Sequence, residues 1–397
     1  MSALLRLREI ECAALAIPMR VTFEHAAASR SVADPIVVRA SAEAPRAGLD
    51  GYGETLARGY VTGEDAASVT RDVLEFFAPA LAELRVASFA EALEFVDALP
   101  RVSGSRVLNA ARCAVELAMI DLAGKAFSRR AADAASWLEL PSFGSPGGLE
   151  TARYSGIVVG DGWKARAAIR AQRCYGLRDY KIKVAIPGWE TRLRTAAKML
   201  RSAMQRGAAT LRADANGGWS LDEALAAIPI LRECGVTALE QPLRPDQDDQ
   251  LARLRDAGAP DLIADESLVT ADDAKRLIAS GAVRVFNIRL AKNGGLMPSL
   301  HMAHAVLAAG KDVQLGCLVG ESSLLSAAGI AFLECCPRVR FVEGAFGRFL
   351  LRDDVVPQPV QFGAGGVIRR RGGFGLAVDV DPFAIKRLAT SVRSLRF

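Results

Sequence analysis

The chain has 397 residues, of which 51% are apolar and 24% are charged, and this composition excludes disordered and fibrous proteins and leaves room for two domains. No run approaches the roughly 18 consecutive apolar residues that a membrane span needs, and no export signal is legible at the amino terminus, so we expect a cytoplasmic protein without a membrane partner. The net charge of +5 is small and the Arg residues are scattered, which argues against nucleic-acid binding.

Residues 1–130 are predicted to form an α+β domain without an internal repeat. Apolar periodicity in this part of the chain predicts two strands and three helices: Leu7–Ala16, Ile36–Ala42, Gly63–Leu84, Ser88–Leu99 and Gly104–Phe127. Pro and Gly then cluster in 131–150, which is the composition of a linker.

Residues 150–360 repeat one pattern, a short apolar run with a polar end followed by a helical stretch. Eight such runs predict a (β/α)8 barrel of the TIM type: Ala152–Val159, Asp179–Ala185, Thr210–Asn216, Thr237–Pro242, Asp261–Ser267, Arg284–Leu290, Asp312–Leu318 and Val339–Ala345. Barrel enzymes carry their chemistry at the carboxyl ends of the strands, so the polar ends of these runs are the candidate site. The pattern does not place the tail, 361–397.

Four successive strand ends carry charged residues. Lys181 and Lys183 alternate on the second strand and therefore share one face, while the next three strands end in Asp214, Glu240 and Asp265. Three carboxylates at one mouth would repel one another and raise their pKa values, and a hard divalent cation, Mg²⁺ or alternatively Mn²⁺, would resolve this. The other interpretation is that each acid pairs with a nearby Arg or caps a helix.

Lysines beside a carboxylate-bound Mg²⁺ suggest removal of a proton next to a substrate carboxylate. The cation stabilises the resulting enediolate, and a Lys whose pKa is lowered by a second Lys is a credible base. The expected partner is a small-molecule carboxylate.

The sequence resembles the enolase superfamily, and within it the muconate lactonizing enzyme subgroup of the mandelate racemase/muconate lactonizing enzyme family, over nearly the whole chain. Five ordered motifs carry the resemblance: Lys181-Ile-Lys183, Asp214-Ala-Asn216, Glu240-Gln-Pro242, Asp265-Glu-Ser267 and Lys292-Asn-Gly294-Gly295. It implies a (β/α)7β barrel, and a capping domain built from both termini that would include 361–397.

The resemblance also implies roles for individual residues. Mg²⁺ would lie at the three strand-end carboxylates, Lys183 would be the base, and Lys181 would lower its pKa. Cap loops around Phe23–Ala27 and Gly51–Leu56 would close over the substrate.

One position departs from the family pattern. Where a second catalytic Lys is expected on strand six, alternation from Asn287 places Arg289, and Lys292 falls in the following loop. A guanidinium stays protonated and is a poor proton shuttle. The sequence therefore favours one-base chemistry, either cycloisomerisation or β-elimination, with Lys183 as base and Arg289 as an electrostatic clamp.

Further residues are candidates for contact with the substrate or for support of the site. Glu321, Asn216, His25 and Lys292 are predicted to bind substrate, although Glu321 could be structural and His25 could be a surface residue. Glu266 and Arg212 are predicted to orient their neighbours.

Two alternative functions remain open from the sequence. The first is a racemase or epimerase of N-acyl amino acids or dipeptides, with Lys292 or a water replacing the missing base. The second is a non-catalytic barrel that binds a carboxylate. A homo-oligomer is expected because closed assemblies are common among enzymes of this kind.

Overall fold

The computed structural model describes residues 4–25, 28–44, 47–145, 147–158, 160 and 162–397, with the backbone alone for 22–25, 28, 29 and 147. The non-barrel part contains eight strands: Arg6–Leu15, Ile17–His25, Ala28–Ala33, Ile36–Ala44, Asp50–Thr55, Val102–Ser103, Arg106–Val107 and Ala389–Arg396. Its helical segments are Gly59–Thr62, Ala66–Arg71, Asp72–Phe77, Ala78–Ala82, Phe89–Asp97, Asn109–Phe127, Ala131–Asp133, Ala134–Leu138, Gly147–Thr151, Gly347–Leu350, Ala364–Gly366 and Pro382–Leu388.

An antiparallel sheet of four strands forms the cap. Arg6–Leu15 lies at its centre, between Ile36–Ala44 and the carboxyl-terminal strand Ala389–Arg396. The helix Asn109–Phe127 packs so closely on this sheet that a Cβ on Gly53 would come within 2.0 Å of the Ala114 carbonyl oxygen. Both ends of the chain thus contribute to one sheet.

Eight parallel strands form the barrel: Gly156–Val158, Asp179–Lys183, Thr210–Asp214, Ala238–Glu240, Asp261–Ala264, Val283–Ile288, Asp312–Leu315 and Phe341–Val342. Parallel pairing of Tyr154 with Val342 joins the last strand to the first. Helical segments follow the first seven strands: Gly162–Cys174, Trp189–Gln205, Leu221–Glu233, Pro245–Gln250 with Leu251–Asp256, Ala271–Ser280, Leu290–Asn293 with Leu296–Ala308, and Ser323–Cys335. The predicted (β/α)7β barrel with a capping domain is confirmed.

Several predicted boundaries are wrong, for local reasons. The helix predicted from Gly104 begins at Asn109, because Gly104, with φ of 59°, turns the chain between two short strands. The helix predicted over 63–84 starts at Ala66, because Gly63 ends the preceding turn in a left-handed conformation and Asp65 caps the next helix.

The segments predicted as a cap loop and as a linker also differ from expectation. Gly51–Leu56 falls mostly in a strand, and 131–150 contains short helices. The division of the chain at 130, 150 and 360 stays a prediction. Within the described residues, no helix has the length and apolarity to cross a membrane.

Candidate active site

Lys181 lies at the centre of the barrel mouth among three carboxylates. Its Nζ is 2.7 Å from Glu343 Oε2, 3.0 Å from Asp214 Oδ2 and 3.2 Å from Glu240 Oε1. Burial lowers the pKa of Lys181, but the three carboxylates outweigh burial and hold that pKa well above its usual value. Lys181 therefore stays charged and neutralises the carboxylates around it.

Lys183 lies on the same face of the strand and reaches the cavity. Its Nζ donates at 2.6 Å to both Asp214 Oδ2 and Asn216 Oδ1, and its side chain is 16% exposed. Asn216 has φ of 46°, an unusual conformation outside glycine, and donates to Glu266 Oε1 at 3.1 Å. Lys183 is thus held by residues at the end of strand three.

The three strand-end carboxylates are fully buried. Asp214 pairs in register with Glu240 on the next strand, and Asp265 follows the end of the strand after that. Burial raises the pKa of Glu240 to about 7, and the charges of Asp214 and Asp265 add to the rise while Lys181 opposes it. As the described side chains stand, no group of three or more His, Cys, Asp or Glu residues is arranged to hold a metal ion. Cationic side chains of the protein contact each of the three carboxylates.

Arg289 occupies the inward position on strand six, as predicted by alternation from Asn287. It donates a short hydrogen bond to Asp265 and lies 3.8 Å from Glu240 Oε1. Its Nε is buried and has no hydrogen-bond partner among the described residues, and the side chain lines the cavity. The guanidinium is positioned to attract an anion there.

The structure contradicts the predicted contact of Lys292 with substrate. Lys292 is 1% exposed, and its Nζ donates to Asp265 O at 2.6 Å, Asp265 Oδ1 at 2.9 Å and Asn287 O at 2.8 Å. All three donors of the ammonium are used, so Lys292 supports Asp265 from beneath the site.

Arg212 and Glu266 differ in their exposure to the cavity. Arg212 is fully buried and its Nη1 lies 3.1 Å from Glu343 Oε1, so it holds the acid that in turn contacts Lys181. Glu266 instead lines the cavity, and its Oε2 is buried without a hydrogen-bond partner among the described residues.

Sequence reasoning missed several residues that hold the carboxylates. Asn287 donates to Glu240 Oε1 and Gln314 donates to Glu240 Oε2, both at 3.0 Å. Gln241 accepts from the backbone N–H of Asp265 at 2.9 Å. Asn287 and Gln314 occupy inward positions of their strands, so the alternation that located Arg289 could have identified them.

The cap fixes the loop that carries Glu321. Glu54, in the cap, accepts from the Ser322 backbone N–H at 2.8 Å, and Arg58 donates to the Val319 carbonyl at 2.9 Å. Burial raises the pKa of Glu321 to about 8, and this side chain lines the cavity. The cap and the loop after strand seven therefore form one wall of the site.

A cavity of about 1330 Å³ opens above these residues, and Lys183, Glu266, Arg289 and Glu321 all line it. The side chain of His25 lies outside the described part of the chain, and so do residues 26 and 27 of the predicted cap loop. Lys181 and Asn216 also line this cavity, so the structure brings six predicted site residues to one cavity.

A closed (β/α)7β barrel with lysines, arginine and carboxylates at the strand ends, covered by an antiparallel cap, defines a class of barrel enzymes that act at the barrel mouth. Residues 164–384 match the family model described as Enolase C-terminal domain-like. The chain belongs to the enolase superfamily, and its relatives include enzymes of the muconate lactonizing type.

Relatives of known name cover most of the chain. A hydrophobic dipeptide epimerase from Enterococcus faecalis is 28% identical over 323 residues, which is 81% of this chain and 84% of the relative. Muconate cycloisomerase 1 from Pseudomonas putida is 27% identical over 347 residues, or 85% and 87% of the two chains. The crystal structure of N-succinyl Arg/Lys racemase from Bacillus cereus superposes with a TM-score of 0.81 at 23% identity, covering 98% of this chain and 100% of that one. The chain is accordingly an enzyme, with isomerases among its relatives.

Proposed function

We propose that the protein removes the α-proton of a carboxylate substrate with Lys183 and completes a one-base cycloisomerisation or β-elimination. The observation that carries this proposal is the contrast between the cationic residues. Both lysines line the cavity, but Lys181 is surrounded by three carboxylates, whereas the more exposed Lys183 contacts Asp214. Strand six presents Arg289 where a second base would stand.

The donor set at the strand ends fits a divalent cation such as Mg²⁺. Asp214, Glu240 and Asp265 offer hard oxygen ligands. The pKa of Glu240 is raised first by burial and further by neighbouring carboxylates, whose negative charge a cation would offset. When bound, the cation would supply positive charge that stabilises an enediolate. Asp214, Glu240 and Asp265 would hold it, and Lys183 and Arg289 would then release the contacts that they make with Asp214 and Asp265.

The residues of the chain perform the remaining steps. Lys183, acting as the free amine, takes the α-proton onto its Nζ, so that the C–H electron pair passes into the enediolate and the lysine becomes an ammonium. Arg289, which cannot shuttle protons, attracts the substrate carboxylate and offsets its developing charge. Lys183 can then return the proton on the same face of the substrate, either to a leaving group or to a rearranged carbon.

A racemase or epimerase of N-acyl amino acids or dipeptides is the second candidate function. The relationship to a dipeptide epimerase favours it. It needs a proton donor on the opposite face of the substrate carbon, and Lys292 is a poor one because it is buried and fully bonded.

The experiment follows proton exchange and product structure in D₂O. Carboxylates of both classes are incubated with the enzyme and Mg²⁺ and analysed by mass spectrometry and NMR. Lys183→Ala should lower turnover by about 10²–10⁴-fold, the usual contribution of a general base, and should still bind Mg²⁺ in calorimetric titrations. Lys198→Ala, at an exposed lysine of the helix Trp189–Gln205, is the matched control and should be as active as the parent.

The products distinguish the two candidates. A new isomer, or loss of a leaving group, without inversion of the α-carbon would support the one-base reaction. Deuterium at the α-carbon of both enantiomers would instead establish the racemase. Substantial activity in Lys183→Ala would overturn both.

A further inference from the structure

The cavity extends well beyond the charged residues. Its volume of about 1330 Å³ exceeds the roughly 300–1,000 Å³ of ordinary small-molecule sites. A small hydroxy acid or diacid held by Lys183 and Arg289 would leave most of it unfilled, so the remainder has room for a substantial second part of the substrate.

One side of that remainder is aromatic. The aromatic wall consists of Tyr175, Phe346, Phe349 and Phe362, all of which line the cavity. Phe349 and Phe362 have ring centroids 5.7 Å apart, and Phe346 and Phe362 lie 5.8 Å apart. Tyr175 donates its hydroxyl to the Phe362 carbonyl at 3.0 Å. The polar end of Tyr175 is thereby used within the protein, and the wall offers apolar surface.

The aromatic wall continues into a helix face that carries two small side chains. Lys164, Ala168 and Ala171 recur every three or four residues along Gly162–Cys174 and line the cavity. Such spacing places side chains on one helix face. Tyr175, just past the end of this helix, joins it to the aromatic wall, where its ring lies 6.4 Å from that of Phe349. Because Ala168 and Ala171 are small, they leave a groove between this helix and the aromatic wall.

The groove remains partly open to water although it is apolar. Phe349 is 47% exposed and Tyr175 is 37% exposed. Large apolar side chains left exposed together typically mark a binding surface, and aromatic rings bury much area with little loss of conformational freedom.

We propose that the substrate is a carboxylate with a long or aromatic acyl group, and that this group lies in the groove between Ala168, Ala171 and the aromatic wall. The inference rests on the proposed function, because Arg289 must hold the carboxylate end beside Lys183 for the acyl end to reach the groove. The groove then selects the length of the acyl group while the barrel mouth performs the chemistry.

The test uses N-acyl-alanines from acetyl to octanoyl, together with N-benzoyl-alanine, in the presence of Mg²⁺. Each methylene buried in the groove should raise kcat/KM for α-proton exchange about fourfold. Ala168→Leu fills the groove and should abolish this dependence on length, with at least a tenfold loss for the octanoyl compound and little change for the acetyl compound. Ala167→Leu is the matched control, because Ala167 is the exposed neighbour of Ala168 on the same helix and does not line the cavity.

A second pair of variants tests the aromatic wall itself. Phe349→Ala should weaken the response to acyl length, whereas Phe374→Ala should leave it intact, because Phe374 is similarly exposed at 49% but does not line the cavity. Calorimetric binding of the same series to Lys183→Ala provides a readout that does not need turnover.

The outcomes separate the two proposals. Exchange that is equally fast for short and long acyl groups would overturn the groove while leaving the proposed chemistry standing. Absence of exchange for every compound would overturn α-proton removal from N-acyl-alanines, and affinity that still rises with acyl length would then support the groove by itself. Affinity independent of length would overturn the groove.

Discussion

Gly316, at the end of strand seven, tests how closely the carboxylate network is packed. A Cβ on Gly316 would lie 2.2 Å from Asn287 Oδ1 and 2.9 Å from its Nδ2, and real Cβ atoms do not approach so closely. Asn287 is fully buried and donates to Glu240 Oε1 at 3.0 Å. In Gly316→Ala the amide must therefore move, and the hydrogen bond to the carboxylate is lost.

The cost follows from two terms. A hydrogen bond to a charged acceptor contributes about 1.5–3 kcal/mol, and forcing an extra methyl into a packed core costs about 1–3 kcal/mol. We expect Gly316→Ala to lower the free energy of unfolding by roughly 3–5 kcal/mol, measured as a lower midpoint in urea at an unchanged m-value. The backbone of Gly316 does not have positive φ, so the effect would come from space and not from backbone strain.

The control is Gly329→Ala in the helix Ser323–Cys335. A Cβ on Gly329 would have Leu315 Cδ2 as its nearest neighbour, at an ordinary distance of 3.7 Å. A Gly→Ala change within a helix should raise the free energy of unfolding by about 0.5–1 kcal/mol. In the Asn287→Ala background, Gly316→Ala should lower the free energy of unfolding much less than it does in the parent. A double-mutant cycle measures this difference. If Gly316→Ala alone were within about 1 kcal/mol of the parent, the assigned contact between Gly316 and Asn287 would be refuted.

Three further predictions concern the charged residues. Arg289→Lys should introduce α-proton exchange on the second face of the substrate, detected as deuterium in both enantiomers; exchange on one face only would show that position 289 does not decide the reaction type. Burial raises the pKa of Glu54 to about 7. The contribution of Glu54 to the free energy of unfolding is therefore complete below about pH 4.5 and is lost as the pH rises through about 7. Between pH 5 and 8 the free energy of unfolding should therefore fall less in Glu54→Gln than in the parent, by up to about 3 kcal/mol. Urea titrations that give the same pH dependence for both proteins would contradict that. Asp265→Asn should weaken Mg²⁺ binding in calorimetry by at least tenfold, whereas unchanged affinity would place the cation elsewhere.

Periodicity in the sequence was sufficient to predict the barrel and the location of the charged strand ends. Alternation within a single strand puts Lys181 and Lys183 on one face, and parallel strands bring Asp214, Glu240 and Asp265 to one edge. These are local consequences of strand geometry, so they can be read without knowing what packs against each strand. The same alternation identified Arg289 as the inward residue of strand six.

Only the tertiary structure decided which partners these residues meet. Glu343 contacts Lys181 across 162 residues of sequence, because the closed barrel brings its last strand beside the first two. Glu54 of the cap holds Ser322 across 268 residues. Lys292 was expected at the substrate but turns inward to Asp265, because an ammonium beside a buried carboxylate finds its hydrogen bonds there.

The groove and the carboxylate network share this dependence on long-range packing. The ring of Tyr175 lies 6.4 Å from that of Phe349 because the segment after strand eight lies beside the end of the first barrel helix, and nothing in either local sequence specifies that approach. The expected homo-oligomer stays a prediction. Strand and helix periods thus determined where the charged strand ends lie, whereas closure of the barrel and docking of the cap decided which partners these charges meet and how large the cavity above them is.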